Sequence, residues 1–242
     1  MNNRDLPRID VKGDIFIVDL EAGGLRNTEY PFNTLRFADM IDQQGAIVKF
    51  EEIGEIPLKR FFYDSTKKEI APPPIGCEKL PTGVSYMEVF TEVFLDPVGQ
   101  LLMGGADISD LPQKHLKSWF HLAHEIPHIN IYENDFLVDT ARQEIYHVSD
   151  FTNKIDFGNV ASIKSLDVMC FTIDGNVRLV DKPIKEAVED NLLIITPMLD
   201  KLDPIGFQRA TGVPAGILKR SEMPEKSSRI VHSAVNGHGR KI

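Results

Sequence analysis

Cysteine is almost missing: Cys77 and Cys170 are the only two in 242 residues. They are too few and too far apart for a disulfide framework or a cysteine-based zinc site, so reduced, buried thiols are expected. No apolar run approaches the ~18 residues that a membrane span needs, so no membrane partner is expected. The opening MNNRDLPRID places no apolar stretch behind its early arginine, which excludes a secretory signal and makes the cytoplasm the expected location. Positive charge is also scarce, with 27 Lys and Arg against 36 Asp and Glu for a net charge of −9, and such a field opposes broad attraction to nucleic acid. A glycine-rich phosphate loop, a nucleophile elbow and a Cys-His pairing at useful spacing are all lacking. The MGGAD at 103–107 reads as two glycines in a turn, and no nucleotide cofactor is expected.

The charge that is present is uneven. Lys219, Arg220, Lys226, Arg229, Arg240 and Lys241 face only Glu222 and Glu225 in the tail, so residues 219–242 carry +4 and residues 1–218 carry −13. The tail's Ser, Gly and Pro content predicts a flexible or partner-ordered segment, and nucleic-acid contact is expected only there. The acidic body admits a reading as an acidic inhibitor or DNA mimic, although −13 over 218 residues is moderate.

Residues 124–128 spell HEIPH, the written pattern of a zinc-protease helix. Pro127 stands inside the turn that would bring the two histidines onto one face; it lacks the donor, clashes with the carbonyl four residues back and pushes Ile126 toward extended geometry. A softer metal reading groups His121, His124 and His128, but no further ligand is fixed by spacing. Solvated or capping histidines on a helix face are the simpler expectation.

Pro127 also belongs to a repeat. Residues 6–37 align without a gap to residues 126–157 at an offset of 120, with seven identities in 32 positions: Pro7, Ile9, Phe16, Val18, Asp19, Asn33 and Phe37 each recur. Average composition gives about two by chance. Downstream, LDPVGQLLMGG from Leu95 matches LDPIGFQRATG from Leu202 at five positions, with an offset of 107. Two collinear matches predict a tandem duplication whose second copy is shorter by 13 residues.

Each copy opens as a β-hairpin, with turns predicted at Gly13-Asp14 and Glu133-Asn134. Further hairpins are predicted around Gln44-Gly45 and Asp174-Gly175. Helical spacing of Tyr86, Val89, Phe90, Val93 and Phe94 predicts a helix near 85–95, although these residue types also suit a strand. A second helix is predicted over 107–125, where Leu116, Trp119, Phe120 and Ala123 form an apolar stripe. The APPPIG at 71–76 reads as a stiff loop between strands rather than a polyproline ligand. The expected fold is therefore α+β, mainly antiparallel sheet, with related units at 1–106 and 126–218 packed as a pseudo-dimer, a connecting helix at 107–125 and a basic tail at 219–242.

IFIVDLEAGGL, residues 15–25, resembles the first motif of the exonucleases that use four acidic residues and two metal ions. The resemblance implies Asp19 and Glu21 as ligands of Mg2+ or Mn2+ that activate water against a phosphodiester in a 3′–5′ exonuclease-like nuclease. The remaining motifs of that family would fall on Asp135 or Asp139, Tyr146 and Asp150, too close together for the intervening helix and strand. In the second copy, moreover, Asp139 is kept while Glu21 becomes Ala141. The start of the chain also resembles an uncharacterised bacterial protein group, through Pro7, Ile9, Gly13, Phe16, Val18, Asp19, Leu25, Arg26, Asn27 and Pro31. That likeness carries no activity and points to a bacterial, mobile-element or phage origin. A duplication that keeps strands and turns but no catalytic constellation suits a non-enzymatic interaction or structural module with a protein partner and no cofactor.

Overall fold

The computed structural model describes residues 5–41, 47–50, 54–104, 123–158, 165–173 and 176–211. It opens with a four-stranded antiparallel meander of β1 (Arg8–Val11), β2 (Asp14–Asp19), β3 (Gly24–Asn27) and β4 (Thr34–Arg36), each strand paired with the one before it. A short 3-10 turn, Phe37–Asp39, leads to β5 (Ile47–Phe50), β6 (Gly54–Asp64), β7 (Glu69–Ala71) and β8 (Val84–Phe90). Helices α1 (Glu92–Leu95) and α2 (Pro97–Leu102) follow. After them β9 (His124–Glu125) adds to β8, completing a five-stranded sheet in the order β5-β6-β8-β9 with β7 on β6.

A second meander comprises β10 (His128–Ile131), β11 (Asn134–Asp139), β12 (Glu144–His147) and β13 (Lys154–Asp156). The described chain ends with β14 (Val168–Ile173), β15 (Asn176–Val180), α3 (Ile184–Glu189), β16 (Leu193–Ile195), α4 (Leu199–Leu202) and α5 (Pro204–Thr211), the three strands ordered β15-β14-β16. The fold is α+β with antiparallel sheets.

The two meanders share one register at an offset of 120. Ile9 faces Phe16 and Ile129 faces Phe136; Val18 faces Leu25 and Val138 faces Ile145; Leu25 faces Leu35 and Ile145 faces Ile155. The entry bonds match as well, because Val18 N–H donates to Pro7 O and Val138 N–H to Pro127 O, both at 2.8 Å. Alternation explains the pairing: every second side chain is apolar and turns inward. The first turns fall one residue earlier than predicted, at Lys12-Gly13 and Tyr132-Glu133, with φ of 56° and 96° and of 46° and 67°. Positive φ at both central positions is what a two-residue hairpin needs, and it lets Asp14 and Asn134 join the ladder opposite Val11 and Ile131.

The matched Leu-Asp-Pro segments are helix junctions. Asp96 Oδ1 accepts Gly99 N–H at 2.9 Å and Asp203 Oδ1 accepts Gly206 N–H at 2.8 Å, each aspartate capping a helix that starts on proline. Between meander and junction the halves differ. The second strand of the β5–β6 hairpin lies beside β8, whereas the first strand of the β14–β15 hairpin lies beside β16.

The helix predicted over 85–95 is instead strand β8 followed by α1. Met87 and Val89 enter one apolar cluster while Tyr86 enters another, so this strand is buried on both faces and reads as a continuous apolar run that imitates helical spacing. Of the helix predicted over 107–125, residues 105–122 lie outside the described residues, and its last two, His124 and Glu125, are the strand β9. Gln44-Gly45, Asp174-Gly175 and the tail 219–242 also lie outside them. β5 pairs with Gly54–Pro57 and not with the strand before Gln44, whereas Ile173 does face Asn176 across the predicted two-residue turn.

Two cores lie beneath the meanders. Ile9, Phe16, Val18 and Leu25 pack with Phe61, Tyr63 and Met87; Ile129, Phe136, Val138 and Ile145 pack with Val168, Val177 and Leu199. A third cluster joins the halves, with Phe62 and Tyr86 against Leu137, Tyr146, Val148 and Phe151. Strand alternation makes this junction: β6 sends Phe61 and Tyr63 to its own core and Phe62 the other way, while β11 sends Phe136 and Val138 to its own core and Leu137 toward β6 and β8. The proline-rich loop after β7 reaches across beside it, for Asp135 N–H donates to Glu78 O at 2.6 Å and Leu80 N–H to Asp135 Oδ2 at 2.9 Å.

Gly24 marks the tightest backbone approach in the first meander. A Cβ there would lie 2.5 Å from Leu35 O and 3.0 Å from Arg36 Cα, both backbone atoms of the partner strand. Gly24→Ala is expected to cost about 2 to 3 kcal/mol in urea denaturation through overpacking. Gly23 has φ +69° and open space around it. Gly23→Asn should therefore cost under about 1 kcal/mol, since asparagine tolerates that conformation.

Candidate functional site

The densest group of ionisable side chains lies where the second meander covers the β6–β8 sheet. Arg60 comes from β6, Glu88 from β8, His124 from β9, Asp139 from the end of β11, and Asp203 and Arg209 from the start and body of α5. Neighbouring strands set the first two opposite one another, since Arg60 faces Glu88, and His124 is then the partner of Glu88 across β9. Arg60, Glu88, His124, Asp139 and Asp203 are all buried.

Glu88 is the centre. Its Oε2 accepts Arg60 Nε at 3.2 Å and Nη2 at 2.9 Å, and its Oε1 accepts from Arg209 and meets His124 Nδ1 at 2.8 Å. His124 Nε2 lies 2.7 Å from Asp203 Oδ1, the oxygen that also caps α5. Arg60 Nη1 lies 2.5 Å from Asp139 Oδ2, a charge contact without hydrogen-bond angles. The Arg209 guanidinium sits 5.1 Å from the centre of the Phe90 ring.

An imidazole flanked by carboxylate oxygens on both nitrogens satisfies both only when both nitrogens carry protons. Burial alone would lower the His124 pKa, but Asp203 and Glu88 together push it up to about 9. Burial likewise works against ionised Glu88, yet Arg60, His124 and Arg209 hold it well below the usual carboxylate range. Asp139 goes the other way, because burial outweighs the attraction of Arg60 and raises its pKa. Desolvation raises Tyr86 to about 12 beside this group. Three cations and three carboxylates thus saturate one another across the junction of the halves. Glu88 has both oxygens filled by cationic donors, which leaves it no lone pair aimed at a metal or a substrate.

The residues singled out in the sequence do not come together. Asp19 Oδ1 accepts Ala22 N–H at 3.0 Å and its Oδ2 accepts Arg26 Nε at 3.0 Å, while Glu21 is exposed on the following turn. Asp139 Oδ1 accepts Arg142 N–H at 3.0 Å, the same turn bond 120 positions on. His121 lies outside the described residues, His124 is in the ion network, and His128 begins β10. The expected solvated helix face therefore does not apply to His124, which sits in a buried strand because β9 continues the five-stranded sheet. Among the described residues no group of three or more His, Cys, Asp or Glu side chains is arranged to hold a metal ion.

Sequence reasoning missed Arg60, Glu88, Asp203 and Arg209. The available signals were a charged residue at every second position amid apolar neighbours in KRFFYD and YMEVF, and the capping aspartate of Leu-Asp-Pro. Comparison with protein-family models, curated proteins and solved structures returned no match.

Proposed function

We propose that the chain is a non-enzymatic protein-interaction or structural module made by tandem duplication, with units at 1–106 and 126–218. The observation that carries this reading is the fate of the recurring aspartate. Asp19 and Asp139 each hold the same turn through the N–H three residues on, at 3.0 Å in both copies, so the residue repeated in the chain serves the backbone. The most buried acid-base groups support the reading too, since they neutralise one another between the halves rather than facing a cleft. Matching registers at an offset of 120 and matching aspartate caps at 107 support descent from one unit.

The competing reading is a Mg2+- or Mn2+-dependent nuclease on Asp19 and Glu21, and one experiment separates the two. Calorimetric titration of the protein with Mg2+ and Mn2+, alongside a single-strand degradation assay, is expected to show neither binding nor degradation. Metal binding and degradation in the wild type, both lost in an Asp19→Ala, Glu21→Ala double variant, would replace the module with a nuclease.

A further inference from the structure

The outward face of the second meander is covered: Leu137, Tyr146 and Val148 are at most 2% exposed against the β6–β8 sheet. At the equivalent positions, 120 residues earlier, the first meander carries Ile17, Arg26 and Thr28, and this face is open. Ile15 beside them is 38% exposed. The loop joining β3 to β4 adds Tyr30 at 53% and Phe32 at 101%, whereas in the equivalent loop of the second meander Phe151 packs on Tyr146, ring centres 4.9 Å apart.

That loop is held rigid. Asn27 Oδ1 accepts Glu29 N–H at 2.9 Å and Tyr30 N–H at 2.8 Å, Asn33 N–H donates to Tyr30 O at 2.8 Å, and Asn33 Nδ2 donates to Lys67 O at 2.9 Å. A fixed aromatic presented to solvent loses little entropy on docking and is the kind of anchor that dominates interfaces.

Charge selects the occupant. Along the open face Arg8, Ile17 and Arg26 stand in one row across the strands, and Asp19, Gly24 and Arg36 in the next. Asp10 pairs with Ile15 in a third. Three arginines against two aspartates give this face +1 on a chain of −9, so it is a face on which two acidic copies need not repel. Arg26 and Asp19, already paired at 3.0 Å, are complementary across a twofold axis as well as within one chain.

We infer that the open face of the β1–β4 meander, with Tyr30 and Phe32 at its rim, docks on the same face of a second copy to form a twofold dimer. The inference rests on the reading of the chain as an interaction module and names the partner. Sedimentation equilibrium over a wide concentration range should show a monomer–dimer equilibrium in the wild type. Phe32→Ser and Arg8→Glu, both at exposed positions, should each weaken it at least tenfold with an unchanged far-UV spectrum. Val188→Ser, at an exposed apolar position on α3, should leave it unchanged.

A wild type that stays monomeric throughout, or a dimer indifferent to Phe32→Ser and Arg8→Glu, would overturn the inference. So would monomers that instead bind neutral phosphatidylcholine vesicles through Phe32. A monomer leaves the module reading standing, because that reading is decided separately by the metal titration and degradation assay.

Discussion

Arg60→Met is expected to lower the unfolding free energy by about 3 to 5 kcal/mol, the usual cost of removing one partner from a buried ion pair. Arg60 has 0% relative exposure and is the only listener shared by Glu88 and Asp139, so its loss leaves two buried carboxylates with less compensation. Methionine keeps much of the volume, which separates the charge effect from a cavity. The companion variant is Asp139→Asn, which retains an acceptor for Arg142 N–H while removing the charge. In a double-mutant cycle followed by urea denaturation, adding Asp139→Asn to Arg60→Met should recover at least about 1 kcal/mol. Additive losses from the two substitutions would show that Arg60 and Asp139 act independently.

The second large effect is a pH dependence with a defined sign. His124 moves from 6.5 in the unfolded chain to about 9 in the fold, so folding takes up a proton between these values. Its contribution is complete below about pH 6.5, declines as pH rises toward 9 and is lost above it. At about 1.4 kcal/mol for each tenfold, the interval is worth about 3 kcal/mol in all. Glu88, depressed by the same contact, acts in the opposite direction below its ordinary range, and the shared interaction is counted once. Urea midpoints measured from pH 6 to 9.5 should fall steadily in the wild type. In His124→Gln they should start lower and fall much less. Equal slopes in the two proteins would assign the alkaline loss to other groups.

These effects rest on contacts that a linear reading reaches unevenly. The meanders were legible because each buries one face, so alternation at Ile9, Val11, Phe16 and Val18 marks strands and Pro7 and Pro127 mark their entries. The turns slipped by one residue because Tyr132 and Glu133 take left-handed conformations that their side chains do not advertise. β8 was read as a helix because burial on both faces removes the alternation on which strand recognition depends. The site was the least legible part. Its members stand at 60, 88, 124, 139, 203 and 209, and only the packing of the second meander over the β6–β8 sheet makes them neighbours. HEIPH drew attention to the right histidine for the wrong chemistry: Pro127 ends the helix reading, and the strand that replaces it carries His124 to Glu88 and Asp203.

Central to this account is His124 as a buried cation that ties β8 to the start of α5. The most direct test is a nitrogen-15 NMR titration of the histidine side chains, with His124 assigned through His124→Gln. Both ring nitrogens of His124 should remain protonated at pH 7.5 and titrate near 9. A ring that is neutral at pH 7.5 and titrates at or below 6.5 would contradict the double hydrogen bond on which the junction of the two halves is argued.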